Sequence, residues 1–149
     1  MKRIQAVFLL LSMTVLLTAC GTIPITSVAP SIALESVEVD DQDLILNLLI
    51  ENRNDNTIFL TSAQLALFLE DTLVFDVIWS TSLDISPRGR ESIIVSVEAE
   101  PAGIEALQSI KTSGAYQLEG ELEFESLNKH SVEVRGFLHP VPGQAGRYR

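Results

Sequence analysis

The stretch Tyr116-Gln117-Leu118-Glu119-Gly120-Glu121-Leu122-Glu123-Phe124-Glu125 alternates between two kinds of residue. Tyr116, Leu118, Gly120, Leu122 and Phe124 fall on one side of an extended chain, and Glu119, Glu121, Glu123 and Glu125 on the other, because successive side chains of a strand point to opposite faces. One face can be buried while the other stays in water, the pattern of an antiparallel sheet. The same period recurs upstream. Leu44, Leu46, Leu48 and Ile50 share a face within Asp43 to Glu51, and further sets are Ala63, Leu65, Leu67, Leu69, then Leu73, Phe75, Val77, Trp79, and Ile93, Val95, Val97, Ala99. Val132, Val134, Gly136 and Leu138 make a last strand.

Turn signals separate these runs: Asp40-Asp41-Gln42, Glu70-Asp71, Ser86-Pro87-Arg88-Gly89 and Ser126-Leu127-Asn128-Lys129. In the first strand Ile32 and Leu34 are out of phase with Val37 and Val39, which predicts a bulge near Glu35 and Ser36. One helix is expected over Pro101 to Lys111, with proline in its first turn, Ile104, Leu107 and Ile110 near one face, and Ser113-Gly114 as the stop. Short strands at this spacing predict an all-β protein, an antiparallel immunoglobulin or fibronectin III-like β-sandwich of about 7–8 strands with one short helix.

With 149 residues the chain is long enough for one domain, and 46% hydrophobic against 20% charged residues can supply a core. Acids outnumber bases 20 to 10, for a net charge of −10. That balance disfavours nucleic acid as a partner, and unaided adsorption to anionic lipid. The single cysteine excludes an intrachain disulfide and a cysteine-rich zinc cluster.

That cysteine sits at the end of the N-terminal segment. Lys2 and Arg3 precede an apolar stretch from Ile4 to Thr18 that is shorter than a membrane-spanning helix requires, which reads as an export signal. It closes on Leu17-Thr18-Ala19-Cys20-Gly21, which resembles the lipobox of bacterial lipoproteins. The resemblance implies a diacylglyceryl group on the Cys20 thiol, recognition of Leu17, Thr18, Ala19 and Gly21 by signal peptidase II, and cleavage before Cys20. An uncleaved anchor, or an ordinary secretory signal cut after Ala19, would use the same residues; the position of the only cysteine favours the lipid. Removing residues 1–19, which carry Lys2, Arg3 and no acid, leaves 130 residues with a net charge of −12. Gly21 rather than Asp after the cysteine implies, in a Gram-negative cell, an outer-membrane anchor facing the periplasm.

The run Leu44-Ile45-Leu46-Asn47-Leu48-Leu49-Ile50-Glu51-Asn52-Arg53-Asn54, the strands through Leu69 and Trp79, the Ile85-Ser86-Pro87-Arg88-Gly89 turn and the strand from Ile93 to Val97 resemble the water stress and hypersensitive response (WHy) domain. That domain belongs to the atypical, group 2 late embryogenesis abundant proteins, and its bacterial relatives include lipoproteins. The resemblance spans residues 33–138. The distinctive Asn-Pro-Asn of the family is matched at Asn52 and Asn54, with Arg53 in place of proline.

No catalytic, cofactor-binding or metal constellation stands out. His130 is expected in a polar turn and His139 at the end of the last strand, as surface or capping residues without metal-ligand spacing. No Gly-x-Ser-x-Gly elbow occurs, and Cys20 is committed to lipid, so no enzyme is expected. Asp40, Asp41 and Asp43, and separately Glu51, Asn52, Asn54, Asp55 and Asn56, carry oxygen donors that suit calcium. Without EF-hand spacing, capping of turn backbone is the expected role. The row from Glu119 to Glu125 reads as the wet side of a sheet, or as a docking face for a basic partner. Trp79 reads as core.

These readings divide the chain into a lipoprotein signal peptide (1–19), a lipidated tether (20–31), a WHy-like sandwich (32–139) and a flexible tail (140–149). The expected function is that of a non-enzymatic, lipid-anchored envelope protein without cofactor. Its partners would be the membrane, through Cys20, and unidentified protein clients. The resemblance implies protection during desiccation or other stress, and the alternative is an assembly module that docks one dedicated envelope protein.

Overall fold

A computed structural model describes residues 28–125 and 127–149. The expected signal peptide (1–19), the lipobox-like residues Leu17 to Gly21, the expected tether up to residue 27 and Ser126 lie outside the described residues. Eight strands and one helix follow in the order β1 (Ser31–Asp40), β2 (Asp43–Glu51), β3 (Ile58–Leu69), β4 (Thr72–Ile85), β5 (Arg90–Glu98), α1 (Pro101–Ser109), β6 (Gly114–Phe124), β7 (Leu127–Leu138) and β8 (Arg147–Tyr148). They form two four-stranded antiparallel sheets, ordered β5-β2-β1-β8 and β4-β3-β6-β7. The predicted β-sandwich is therefore the observed architecture.

The alternation read from the sequence is what closes the sandwich. Leu44, Leu46, Leu48 and Ile50 of β2 are fully buried, as are Leu65 and Leu67 of β3 and Leu118 and Leu122 of β6. All belong to one hydrophobic cluster. Removing each of these side chains from water contributes about 2 kcal/mol. The expected bulge in β1 is present: Leu34 pairs with Leu48 and Ser36 with Asn47, which leaves Glu35 as the extra residue. A second bulge, at Thr61, lies between Leu60 and Ser62 of β3 and restores the inward phase of Ile58 and Leu60 to that of Ala63, Leu65 and Leu67.

Four expectations need correction. The helix stops at Ser109 rather than Lys111, although Leu107 is buried, with Ile104 and Ile110 packed against the core, as predicted. Strand β4 buries both Val74 and Phe75, breaking the simple alternation, because Val74 is the extra residue of a bulge between Leu73, which pairs with Phe68, and Phe75, which pairs with Leu67; α1 packs against this start of the strand. Gly103 makes that approach possible: a Cβ there would stand 2.5 Å from the Val74 Cα. His130 is not in a turn. The turn is tighter than expected, Leu127 already pairs with Phe124, and His130 sits within β7 opposite Leu122.

The tail is the fourth. Residues 140–149 fold back rather than hang free: Tyr148 pairs with Val37 and Arg147 with Glu38, so β8 takes the edge of β1. Val39 N–H donates to the Gly146 carbonyl at 2.8 Å, and His139 and Arg149 exchange backbone hydrogen bonds of 2.8 and 3.1 Å. The Tyr148 side chain, only 5% exposed, supplies the apolar burial that a Pro- and Gly-rich composition concealed.

Candidate functional site: the Asn52–Asn54 knot

Strand β2 ends at Glu51, and the chain must then cross to β3 in the opposite sheet. The crossing is organised by Asn52, the only buried polar side chain among the described residues, at 1% exposure. Its Nδ2 donates to the carbonyls of Asn56 at 2.8 Å, Ile85 at 3.1 Å and Ser86 at 3.0 Å. Its Oδ1 accepts from the Asn54 backbone N–H at 2.9 Å and from Asn54 Nδ2 at 3.2 Å. A buried amide is tolerated when both ends are paired in this way. The local sequence imposes the rest. Ser86-Pro87-Arg88-Gly89 forms a turn in which Gly89 N–H donates to the Ser86 carbonyl at 2.9 Å, with Arg88 at φ 54°. That turn is stitched to the loop by Asn52 N–H to the Gly89 carbonyl at 2.9 Å and Arg88 N–H to the Asn54 carbonyl at 3.0 Å.

Asn54 faces the other way, toward the incoming chain. Its Oδ1 accepts from Val28 N–H at 2.7 Å and its Nδ2 donates to the Val28 carbonyl at 2.9 Å. The two asparagines thus divide the work, Asn52 locking the loop to the β4–β5 turn and Asn54 holding the segment before β1. Side-chain hydrogen bonds close the loop with Arg53 between them.

Charged side chains ring the knot. Arg90 donates to Glu51 Oε1 through Nη2 at 3.0 Å and Nε at 3.2 Å, and Arg88 Nε donates to Asp55 Oδ1 at 2.8 Å. The hydrogen bond from Arg90 holds the Glu51 carboxyl below its ordinary range against the opposing effect of desolvation, helped by the charge of Arg90, a hydrogen bond from Ser31 and the charge of Arg53. The hydrogen bond from Arg88 lowers Asp55 and raises Arg88 in turn. These pairs are exposed, so they orient side chains more than they stabilise the fold.

The remaining candidates are scattered. Asp40, Asp41 and Asp43 occupy the β1–β2 turn, with Asp41 in the left-handed region at φ 59°. No group of three or more His, Cys, Asp or Glu side chains among the described residues is placed to hold a metal ion. His130 stacks edge-on against Phe124 with ring centroids 6.0 Å apart. His139 Nδ1 lies 3.0 Å from the Thr112 carbonyl, so that nitrogen carries the proton and caps the loop after α1. Trp79 packs against the core. Of the glutamate row, Glu123 accepts from Ser62 Oγ at 2.9 Å, Glu119 from Gln117 Nε2 at 3.0 Å, and Glu121 lies 3.8 Å from Lys129 Nζ. The row borders an open concavity of ≈ 850 Å³ on the outer face of the β4-β3-β6-β7 sheet, with Gln64, Phe68, Asp76 and Glu133 on its walls. No described helix is long and apolar enough to cross a membrane.

The partners of the asparagines were not legible beforehand. Asn52 finds Ile85 and Ser86 more than thirty residues on, and Asn54 finds Val28 through backbone atoms that carry no sequence signature. The available signal was a pair of Asn residues after a strand and a Pro–x–Gly turn at the end of another.

No family model matches the chain, and no curated protein matches its sequence. Solved structures do match. A protein from Arabidopsis thaliana determined in solution superposes with a TM-score of 0.51 at 9% identity, covering 86% of this chain and 95% of that one. A protein from Archaeoglobus fulgidus gives a TM-score of 0.46 at 10% identity, over 76% of this chain and 97% of its own. A solution structure provisionally described as a late embryogenesis abundant protein gives 0.46 at 14% identity, over 97% of this chain and 89% of its own. At such identities the likeness is one of fold.

Proposed function

We propose that this chain is a lipid-anchored, non-enzymatic envelope protein of the late embryogenesis abundant-like kind, which protects proteins or membranes during drying, freezing or heat through weak, broad contacts. The observation that carries the anchor is the placement of the sole cysteine at Leu17-Thr18-Ala19-Cys20-Gly21, behind a short apolar signal. Two or more acyl chains at about 0.8 kcal/mol per buried methylene hold a protein stably on a bilayer. The protective part is supported by the resemblance of the β2 run and its Asn52 and Asn54 to the WHy domain, on a sandwich of the expected architecture. High net negative charge would keep clients apart by repulsion.

Two experiments test it. Cys20→Ser should abolish acylation and release the protein into the soluble fraction; unchanged membrane retention would mean that the N-terminal segment itself is the anchor. The soluble domain, residues 21–149, mixed with a drying-sensitive enzyme, should preserve more activity through desiccation and freeze–thaw than an unrelated sandwich of equal charge. Parity with that control would overturn the protective reading.

A second reading, docking of one dedicated basic partner, is favoured by the acidic concavity bordered by Asp76, Glu119, Glu121 and Glu133. A single saturable crosslink from intact cells, lost on Glu121→Lys/Glu133→Lys, would select it.

A further inference from the structure

We propose that Asn54 acts as a strap that shortens the lipid tether at the end of the domain where the chain enters, and that this end, bearing Arg53, Arg88 and Arg90, is the face applied to lipid phosphates. This rests on the Cys20 anchor proposed above. The strap is geometric. The chain enters at the knot end because β1 begins at Ser31 opposite Glu51, and Val28 just before it is held at both its backbone polar atoms by the one side chain, at 2.7 and 2.9 Å. Cys20 precedes Val28 by eight residues, whose fully extended reach is about 28 Å. The nine residues of β2 separate the knot from the opposite end by about 30 Å at roughly 3.3 Å per residue. An anchored knot therefore stands at most about 28 Å from the surface, whereas the far end can stand a further 30 Å out.

Charge distribution points the same way. The segments at the knot end, residues 51–57, 84–91 and 123–130, carry six acids against four Arg or Lys. Backbone hydrogen bonds gather the opposite end, joining Ala99 to Gln42, Glu100 to Val74 and Glu70 to Ala115. Its segments, residues 40–43, 70–72, 98–113 and the returning 139–149, carry eight acids against Lys111, Arg147 and Arg149. Near a phosphate-bearing surface this asymmetry turns the acidic end outward. At the knot, Glu51 and Asp55 are shared among three arginines, and Arg88 and Arg90 keep 65% and 64% of their side-chain surface in water. A planar guanidinium held in this way can still turn an N–H edge to a phosphate oxygen.

The test uses the full, lipidated protein in vesicles of phosphatidylethanolamine and phosphatidylglycerol that carry a headgroup quencher. Single fluorescent labels are placed at Thr57→Cys beside the knot and at Gln108→Cys on the opposite end. We expect quenching at position 57 to exceed that at 108 by roughly threefold, given ends about 30 Å apart. Asn54→Ala frees residues 28–30, lengthens the tether by about 10 Å at the same end of the domain, and should lower the ratio. So should Val28→Pro, which removes the Val28 N–H donor while leaving the Asn52–Asn54 contacts in place, and which guards against a folding defect in the first variant. Arg53→Gln/Arg88→Gln, with the strap intact, should lower the ratio by roughly twofold. Equal quenching of both labels in a protein whose mass shows the acyl groups overturns the orientation. A protein without acyl mass that stays off the vesicles overturns the anchor, and the orientation with it.

Discussion

Asn52 and Ser86 are joined by a buried hydrogen bond of 3.0 Å from the Asn52 amide to the Ser86 carbonyl, across 34 residues of chain. With the parallel bonds to Ile85 and Asn56, one side chain satisfies the ends of β4 and of the β2–β3 loop together.

Asn52→Ala should be among the most damaging single changes outside the apolar core. It removes a donor from three carbonyls and an acceptor from Asn54, and an unpaired buried group costs about 1–3 kcal/mol. Denaturant unfolding should show a loss of about 3 kcal/mol with an unchanged slope. Asn52→Asp should not restore stability, because a carboxylate has no hydrogen to donate to those carbonyls.

Stability should fall on acidification, and the knot should contribute to the fall. Arg90 and Arg88 hold Glu51 and Asp55 below their ordinary values of 4.5 and 3.8. A depressed folded-state value means that the contribution is present above the ordinary value and is lost as pH falls through the folded one. Unfolding midpoints measured from pH 6 downward should decline below 4.5, more gently in Arg88→Gln/Arg90→Gln, and added salt should shrink the difference.

Two glycines should respond to alanine by very different amounts. At Gly120 a Cβ would stand 1.9 Å from the Gln64 carbonyl oxygen of the neighbouring strand, so Gly120→Ala forces β3 and β6 apart. We expect a loss of about 3 kcal/mol or more, or failure to fold. At Gly143 nothing lies within 4 Å, and Gly143→Ala meets only the cost of φ 76°, about 1 kcal/mol. Thermal unfolding of the pair separates the two effects.

Tyr148→Ala should cost about 3 kcal/mol, the scale for truncating a buried aromatic. Hydrogen exchange should then speed up at Val39, whose N–H depends on the Gly146 carbonyl, while the β3 and β6 amides remain protected.

Period-two alternation made most of the sandwich readable. Where one face is buried and the other wet, as in β2 and β6, hydrophobicity reports burial directly. It misled at Val74, where a bulge turns two successive residues of β4 into the core, and at His130, where β7 begins three residues earlier than the polar residues suggest. It was silent on β8, because two residues cannot display a period.

By itself the amino-acid order determined the strand faces, the bulge at Glu35, the turn at Ser86 to Gly89, the acidic balance and the lone cysteine behind an apolar stretch. These are local properties, set by side-chain type and spacing along a few residues. Tertiary structure alone decided that Asn52 closes on Ser86, that Asn54 grips Val28, that Gly120 leaves space for the Gln64 carbonyl and that Tyr148 completes the edge of β1. Each of those depends on backbone atoms brought together over long separations, and backbone atoms are the same in every residue until the fold places them.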